Sequence, residues 1–318
     1  MKIPAEPWSI VLAGGDGTRL RCLTTNARGV SVPKQYCSLQ GGVSLLRLAF
    51  ERAARVSLRQ KITVVVAEQH HDWWKPECED LPATNTVPQA INRGTAPGVL
   101  LPLLSVLSRD PDPLLVVYPS DHFIADEDAL EDAVRHGLAQ VARNPEKVVL
   151  LGMTPDEADS AFGWIVPGDA ANGEASPVER FVEKPPSRLA MRLLKRGGLW
   201  NSFILLARGR TLLELYRLRL PELLTGMEDA LELDRLSGGG SRHMNLFYKG
   251  LDATDFSRNL LQGAESRLSV VPVRPCGWSD LGTPERVARC VERLDEPAAT
   301  NSVVPLPVLA PLSLAGRA

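Results

Sequence analysis

Short, uniformly apolar runs alternate along the first half of the chain with longer stretches in which apolar residues recur every three or four positions. Residues 9–13, 62–67, 114–118 and 148–153 are too short for helices and too apolar on both faces for exposed strands, so they are expected to be buried central strands. Residues 44–57, 96–108 and 127–143 have the spacing of helices with one buried face. Such alternation builds a sheet flanked by helices. The second half is less regular. Residues 187–196 and 210–220 read as helices, and 269–273 as a strand whose Pro272 argues for an edge position, because proline cannot donate to a ladder. Gly238, Gly239 and Gly240 mark a turn. From Pro297 onward the chain has four prolines and no periodic face, which predicts a poorly ordered tail or an extended arm over 297–318.

Composition acts mainly by exclusion. With 318 residues and 44% hydrophobic positions, the chain has material for one large core or two ordinary ones. Its 36 lysines and arginines against 38 acids leave a net charge of −2, so no overall basic face is expected to meet nucleic acid. No apolar run approaches the ~20 residues of a membrane span, and residues 1–9 lack the layout of a signal peptide, so a cytoplasmic protein is expected. The five cysteines are scattered, with no C-x-x-C pair, and are expected to be structural or incidental thiols.

The sharpest local signal is Leu12-Ala13-Gly14-Gly15-Asp16-Gly17-Thr18-Arg19-Leu20, directly after the first expected strand. Glycines there let the backbone approach a ligand and turn successive N–H groups toward phosphate oxygens, while an arginine adds a two-pronged cation. The Walker loop and the dinucleotide Gly-x-Gly-x-x-Gly are both absent. A phosphate cradle of another kind is the functional reading, and a plain turn is the bland one. Lys34, in Val32-Pro33-Lys34-Gln35-Tyr36, offers a second cation. Thr95 is placed to cap the helix that follows, with Pro97 in its first turn. Asp121 follows an expected strand, where ligands of parallel sheets gather.

Taken in order, Gly-Gly-x-Gly-x-Arg-Leu, Pro-Lys-Gln-aromatic, then a glycine and Ser44-Leu45-Leu46 resemble the opening of the sugar-1-phosphate nucleotidyltransferases. Within them, the Pro-Lys-Gln form is similar to that of the guanylyltransferases acting on mannose 1-phosphate. The likeness continues through Pro88-Gln89-Ala90-Ile91-Asn92-Arg93-Gly94-Thr95-Ala96-Pro97, Pro119-Ser120-Asp121-His122, Phe162-Gly163-Trp164-Ile165, Val182-Glu183-Lys184-Pro185, Trp200-Asn201-Ser202 and Gly277-Trp278-Ser279-Asp280-Leu281-Gly282.

The resemblance implies an α/β fold of three α/β/α layers, Rossmann-like and glycosyltransferase-A-like, on a mostly parallel mixed sheet. It implies one nucleotidyltransferase domain over 1–296, with a nucleotide half over about 1–150 and a sugar half after it. In that family's terms, Leu12, Ala13, Gly14, Gly15, Gly17, Thr18, Gln89, Arg93, Gly94 and Thr95 would bind the nucleotide. Gly163, Glu183, Asn201 and Ser202 would bind the sugar. Arg19, Lys34 and Lys184 would be the catalytic cations, and Asp121 and Asp280 would hold Mg²⁺, while His122 shapes its loop. The reaction implied joins a sugar 1-phosphate to a nucleoside triphosphate, releasing pyrophosphate, with GTP and mannose 1-phosphate favoured. A homodimer is compatible with it. The same chemistry on UTP, dTTP, ATP or CTP or on another hexose stays open, as does a catalytically weak paralogue that binds nucleotide-sugar.

Three positions depart from the family pattern. Its Trp-Pro after Arg-Leu is Arg21-Cys22, its glycine after Trp-Asn-Ser is Phe203, and its Ser-x-Asp-Tyr followed by Met-Glu-Lys becomes Thr254-Asp255-Phe256-Ser257 followed by Leu260-Leu261. After Gly282 the chain is too short for the β-helix or β-sandwich domain that many members append.

Overall fold

A computed structural model of the chain describes residues 6–25, 29–39, 41–170, 173–295 and 310–311. The strands of the first half are β1 (Trp8–Ala13), β2 (Cys37–Ser38), β3 (Ile62–Ala67), β4 (Thr86–Gln89), β5 (Leu114–Pro119) and β6 (Val148–Met153). They are followed by β7 (Gly163–Pro167), β8 (Ser176–Glu183), β9 (Leu199–Arg208), β10 (Leu268–Val273) and β11 (Ala310–Pro311). The helices are α1 (Arg21–Thr24), α2 (Leu45–Ala54), α3 (His71–Glu77), α4 (Thr95–Leu107), α5 (Glu127–Arg143), α6 (Ser187–Lys195), α7 (Gly209–Arg219), α8 (Pro221–Leu236), α9 (Arg242–Gly250) and α10 (Pro284–Asp295).

Nine strands form one sheet in the order β4-β3-β1-β5-β9-β6-β10-β8-β7, so both expected halves share it. Pairing is parallel among β4, β3, β1 and β5 and between β6 and β10, whereas β9 runs antiparallel to β5, β6 and β7. Alternation along the strands feeds two cores. Val11, Val116 and Tyr118 pack on one face with Leu46 of α2, Leu130 of α5 and Val291 of α10. Ile10, Leu115 and Val117 pack on the other with Leu100 of α4, Tyr216 of α7 and Met227 of α8. The period of two along each strand therefore produces the three layers.

Two expectations are corrected. The strand with Pro272 is interior: β10 pairs with β6 along six residues and with β8 at Ser269 and Val270. Pro272 is tolerated because the second ladder has ended before it. Thr95 is not a cap either. Gly94 takes the N-cap position, with a φ of 87°, and Thr95 Oγ1 instead accepts the Phe256 N–H at 2.8 Å. The missed elements, β7 to β9 and α8 to α9 among them, lie where apolar and polar positions mix without one clean period.

The tail 297–318 lies outside the described residues except for β11, which pairs antiparallel with β2. All five cysteines are free. Among the described residues no helix is long and apolar enough to cross a membrane.

Candidate functional site

A cleft of about 370 Å³ opens at the carboxyl ends of β1 and β5. The loop after β1 forms its floor, with Gly14, Gly15 and Arg19 in the wall. Leu12 also lines it, Ala13 closes the strand, and Thr18 begins a single 3₁₀ turn. Gln35 holds this loop in shape by donating through Nε2 to both Ala13 O and Gly15 O, at 2.9 Å each. Gly17 is left-handed, with a φ of 61°, and a Cβ there would lie 2.8 Å from Lys34 N. Asp16, in the same loop, accepts from Gln69 Nε2 at 2.9 Å and Asn92 Nδ2 at 3.3 Å, which ties the loop to the segment after β4.

That segment supplies the second wall. Gln89 donates from Nε2 to Gly14 O at 3.1 Å, while its Oε1 is buried with no hydrogen-bond partner among the described residues. A buried acceptor without a protein partner beside a cleft marks a place where a ligand donor would be accepted. A Cβ on Gly14 would overlap Gln89 Nε2. Gly14→Ala is therefore expected to push Gln89 aside and to weaken about tenfold the binding of the ligand that the cleft takes, with little change in melting temperature. Binding titration together with thermal melting checks this.

Gly94 and Thr95 also line the cleft, and Thr254 packs so close to Gly94 that a Cβ would overlap its carbonyl. Arg93 is not brought to the cleft: its guanidinium donates to Tyr248 O at 2.9 Å and Lys249 O at 3.1 Å at the end of α9.

Opposite the glycine loop, Asp121 follows β5 and Asp280 lies in the turn before α10. Lys34 joins them. Its side chain is only 6% exposed, and Nζ reaches Asp121 Oδ2 at 2.9 Å, Asp280 O at 2.6 Å and Leu281 O at 3.3 Å. Burial pushes the Asp121 carboxyl up, but the Lys34 ammonium brings it below the ordinary aspartate range. His122 is held neutral, its pKa lowered to about 4 chiefly by burial, and its Nδ1 accepts from Trp278 Nε1 at 3.2 Å. Backbone bonds between Phe123 and Ser279, 2.9 and 3.0 Å, clamp the two aspartate loops together.

The third group sits on β7, β8 and β9. Gly163 faces Glu183 in register, and a Cβ on Gly163 would lie 2.6 Å from Glu183 Oε2. Burial, with Asp255 nearby, raises the Glu183 pKa. Lys184 Nζ lies 3.4 Å from Glu183 Oε1 and is half exposed. Asn201 donates to Ser257 Oγ at 3.3 Å and accepts the Phe203 N–H at 3.2 Å. Ser202 is not brought to the site, because it turns under the sheet and donates to Leu151 O at 2.7 Å. Phe203 lines the cleft and packs on Phe256, ring centres 5.6 Å apart.

Among the described residues, the non-glycine positions with left-handed φ are Lys184, Phe203 and Leu281. Each costs local strain, and each stands inside a motif segment, the usual placing of strained backbone at ligand sites. Gln35, Asn92, Thr254 and Arg286 carry much of the arrangement, yet the first three stand in quoted segments without a role read for them and Arg286 stands in no motif. The only sequence signal of Arg286 is its nearness to the Gly277–Gly282 motif.

The family model described as "Nucleotidyl transferase" matches residues 8–295. Mannose-1-phosphate guanylyltransferase of Escherichia coli (strain K12) is 34% identical over 234 residues, 70% of this chain and 47% of that protein. Xanthan biosynthesis protein XanB of Xanthomonas campestris pv. campestris (strain B100) is 33% identical over 285 residues, 86% of this chain and 57% of that one. The crystal structure of mannose-1-phosphate geranyltransferase from Thermus thermophilus superposes with a TM-score of 0.75 at 27% identity, covering 90% of this chain and 79% of the other. The chain spans about half the length of the curated relatives it matches. With the matched span running from β1 into α10 and so enclosing every group that lines the cleft, the chain belongs to the nucleotidyl transferase family.

Proposed function

We propose that this protein joins a sugar 1-phosphate to a nucleoside triphosphate, with mannose 1-phosphate and GTP as substrates, and releases pyrophosphate. The observation that carries the reading is Lys34, whose one ammonium draws Asp121 and the Asp280 turn, 246 residues from it, to the edge of the glycine-lined cleft.

In this reaction a phosphate oxygen of the sugar 1-phosphate attacks the α-phosphorus, and the bond from that phosphorus to the β-phosphate oxygen breaks. The nucleophile arrives as an oxyanion, so no side chain need take its proton, and positioning with charge neutralisation carries the rate. The backbone at Gly14, Gly15 and Gly17 would cradle the phosphates. Arg19 would neutralise the departing pyrophosphate. The exposed Lys184 ammonium would hold the sugar phosphate, and Glu183 would accept from sugar hydroxyls. Gln89 Oε1 would accept a base donor, which the N1–H and amino group of guanine supply. Lys34, its three protons already engaged, acts by fixing Asp121.

The donor set at the aspartates fits Mg²⁺, since both are hard carboxylates and each keeps one oxygen clear of its cationic partner: Lys34 sits on Asp121 Oδ2, and Arg286 on Asp280 Oδ1. Asp121 and Asp280 would hold the ion, which polarises phosphate oxygens when bound. Free nucleotide and sugar phosphate as substrates fit a cytoplasmic enzyme.

The test is pyrophosphate release from five nucleoside triphosphates paired with mannose, glucose, galactose and N-acetylglucosamine 1-phosphates, with and without Mg²⁺. Metal-dependent turnover peaking at GTP and mannose 1-phosphate is expected. A peak elsewhere reassigns the substrate. Absence of turnover with any pair, despite nucleotide binding, sinks the enzymatic reading in favour of a regulatory paralogue.

Glu183 adds a pH signature. Because its pKa is raised in the fold, it protonates at a higher pH than an exposed glutamate and then ceases to be a pure acceptor. The KM for sugar 1-phosphate is expected to rise as pH falls, and to do so before the KM for nucleotide changes. Paired pH profiles of the two constants check the order.

A further inference from the structure

Arg286, on α10, occupies a place that no motif marks. Its side chain is 10% exposed. Nη1 donates to Asp280 Oδ1 at 2.7 Å, Nη2 donates to Asp159 Oδ2, and the guanidinium carbon lies 4.2 Å from the Phe162 ring centre. The Gly282 N–H reaches the same Asp280 Oδ1 at 3.0 Å. Two donors therefore fix one oxygen of this carboxylate. Arg286 is itself pinned, because Asp159 and the Phe162 face hold its fork in one plane.

We propose that Arg286 is a positioning residue that confines Asp280 to offering a divalent cation a single oxygen, and thereby sets a preference for Mg²⁺ over Ca²⁺. This rests on the reading of Asp121 and Asp280 as the cation's ligands. Mg²⁺ takes near-ideal octahedral geometry with short bonds, one oxygen per ligand, whereas Ca²⁺ accepts six to eight oxygens and gains from carboxylates that bind through both. A carboxylate with Oδ1 already taken by a guanidinium and an amide cannot bind through both. The positive charge of Arg286 also weakens binding of every dication, but that effect is shared and cancels in a ratio.

The experiment measures the ratio of Mg²⁺ to Ca²⁺ affinity on the full chain without substrates, by displacement of Mn²⁺ whose free fraction is read by electron paramagnetic resonance. Arg286→Met is expected to move the ratio toward Ca²⁺ by about tenfold, the scale of lost outer contacts to metal ligands. Arg286→Lys keeps the charge without the fork, so it shifts the ratio the same way by less, and it decides the matter if the methionine variant does not fold. Asp159→Asn controls for lost stability: its amide oxygen still accepts from Nη2 of Arg286, so Asp280 Oδ1 stays held and the ratio stays at the wild-type value. An unchanged ratio in the folded Arg286 variants overturns the inference and leaves the cation site intact. Binding that is indifferent to Asp280→Asn overturns the reading of the aspartates, and this inference with it.

Discussion

Asp121→Asn is expected to lower pyrophosphate release by about 10³-fold while the fold and nucleotide binding survive. The substitution preserves shape and leaves an oxygen for Lys34 Nζ, which keeps its carbonyl partners Asp280 O and Leu281 O. What disappears is the negative charge at the mouth of the cleft. Asp121 is a third exposed, 36%, so the fold loses only part of an ion pair. Under the proposed function the nucleotide would be gripped chiefly by other groups that line the cleft, at Gly14, Gly15 and Gln89. Initial-rate assays, calorimetric titration with nucleotide and thermal melting separate these effects. A rate within a few-fold of the wild type would show that Asp121 serves the fold alone.

Lys34→Met is expected to damage both structure and activity. One ammonium is removed, and three acceptors lose their donor in a place that water scarcely enters. Breaking a buried pair from one side costs about 3–5 kcal/mol, and partial exposure of Asp121 brings the expected loss to about 2–3 kcal/mol. Leu281, whose φ is 48°, also loses a contact that holds its strained turn. The pH dependence follows from the direction of the Asp121 shift. Its pKa is lowered in the fold, so its contribution to stability is present above the unfolded aspartate pKa and is lost as pH falls through the folded one. The gap between wild type and Lys34→Met is therefore expected to be widest near neutrality and to close in acid. Urea unfolding at pH 7 and in the acid range measures it. A gap that stays constant with pH would show that the ion pair contributes nothing and that packing alone was lost.

How far the site was legible depended on the range of each interaction. The glycine loop was legible because the freedom of Gly17 to adopt a φ of 61° is a property of that residue. The buried strands were legible because uniform apolarity over five or six residues leaves few alternatives. Arg93 and Ser202 stand in the right segments, yet one caps α9 and the other turns beneath the sheet. A motif places the backbone near the site without deciding which way each side chain turns. Pro272 misled in a similar way, since a proline forbids a second ladder only at its own position, and β8 pairs earlier along the strand.

By itself, then, the sequence determined the local chemistry of this protein: where the backbone can approach phosphates, which runs are buried strands, and which carboxylates and cations are on offer. The first two follow from φ freedom and apolar period, properties of neighbouring residues, while the choice of Asp121, Asp280, Lys34 and Lys184 among the charged residues came from the family resemblance. Only the tertiary structure decided that Lys34 is a tie between Asp121 and Asp280, that Thr254 backs Gly94, and that Arg286 occupies one oxygen of Asp280. The first and the second of these contacts join residues far apart along the chain, and the third crosses from a loop into a helix. The first two distances are set by how sheet and helices pack, which no local pattern encodes, and the third by the turn that leads from Asp280 into α10.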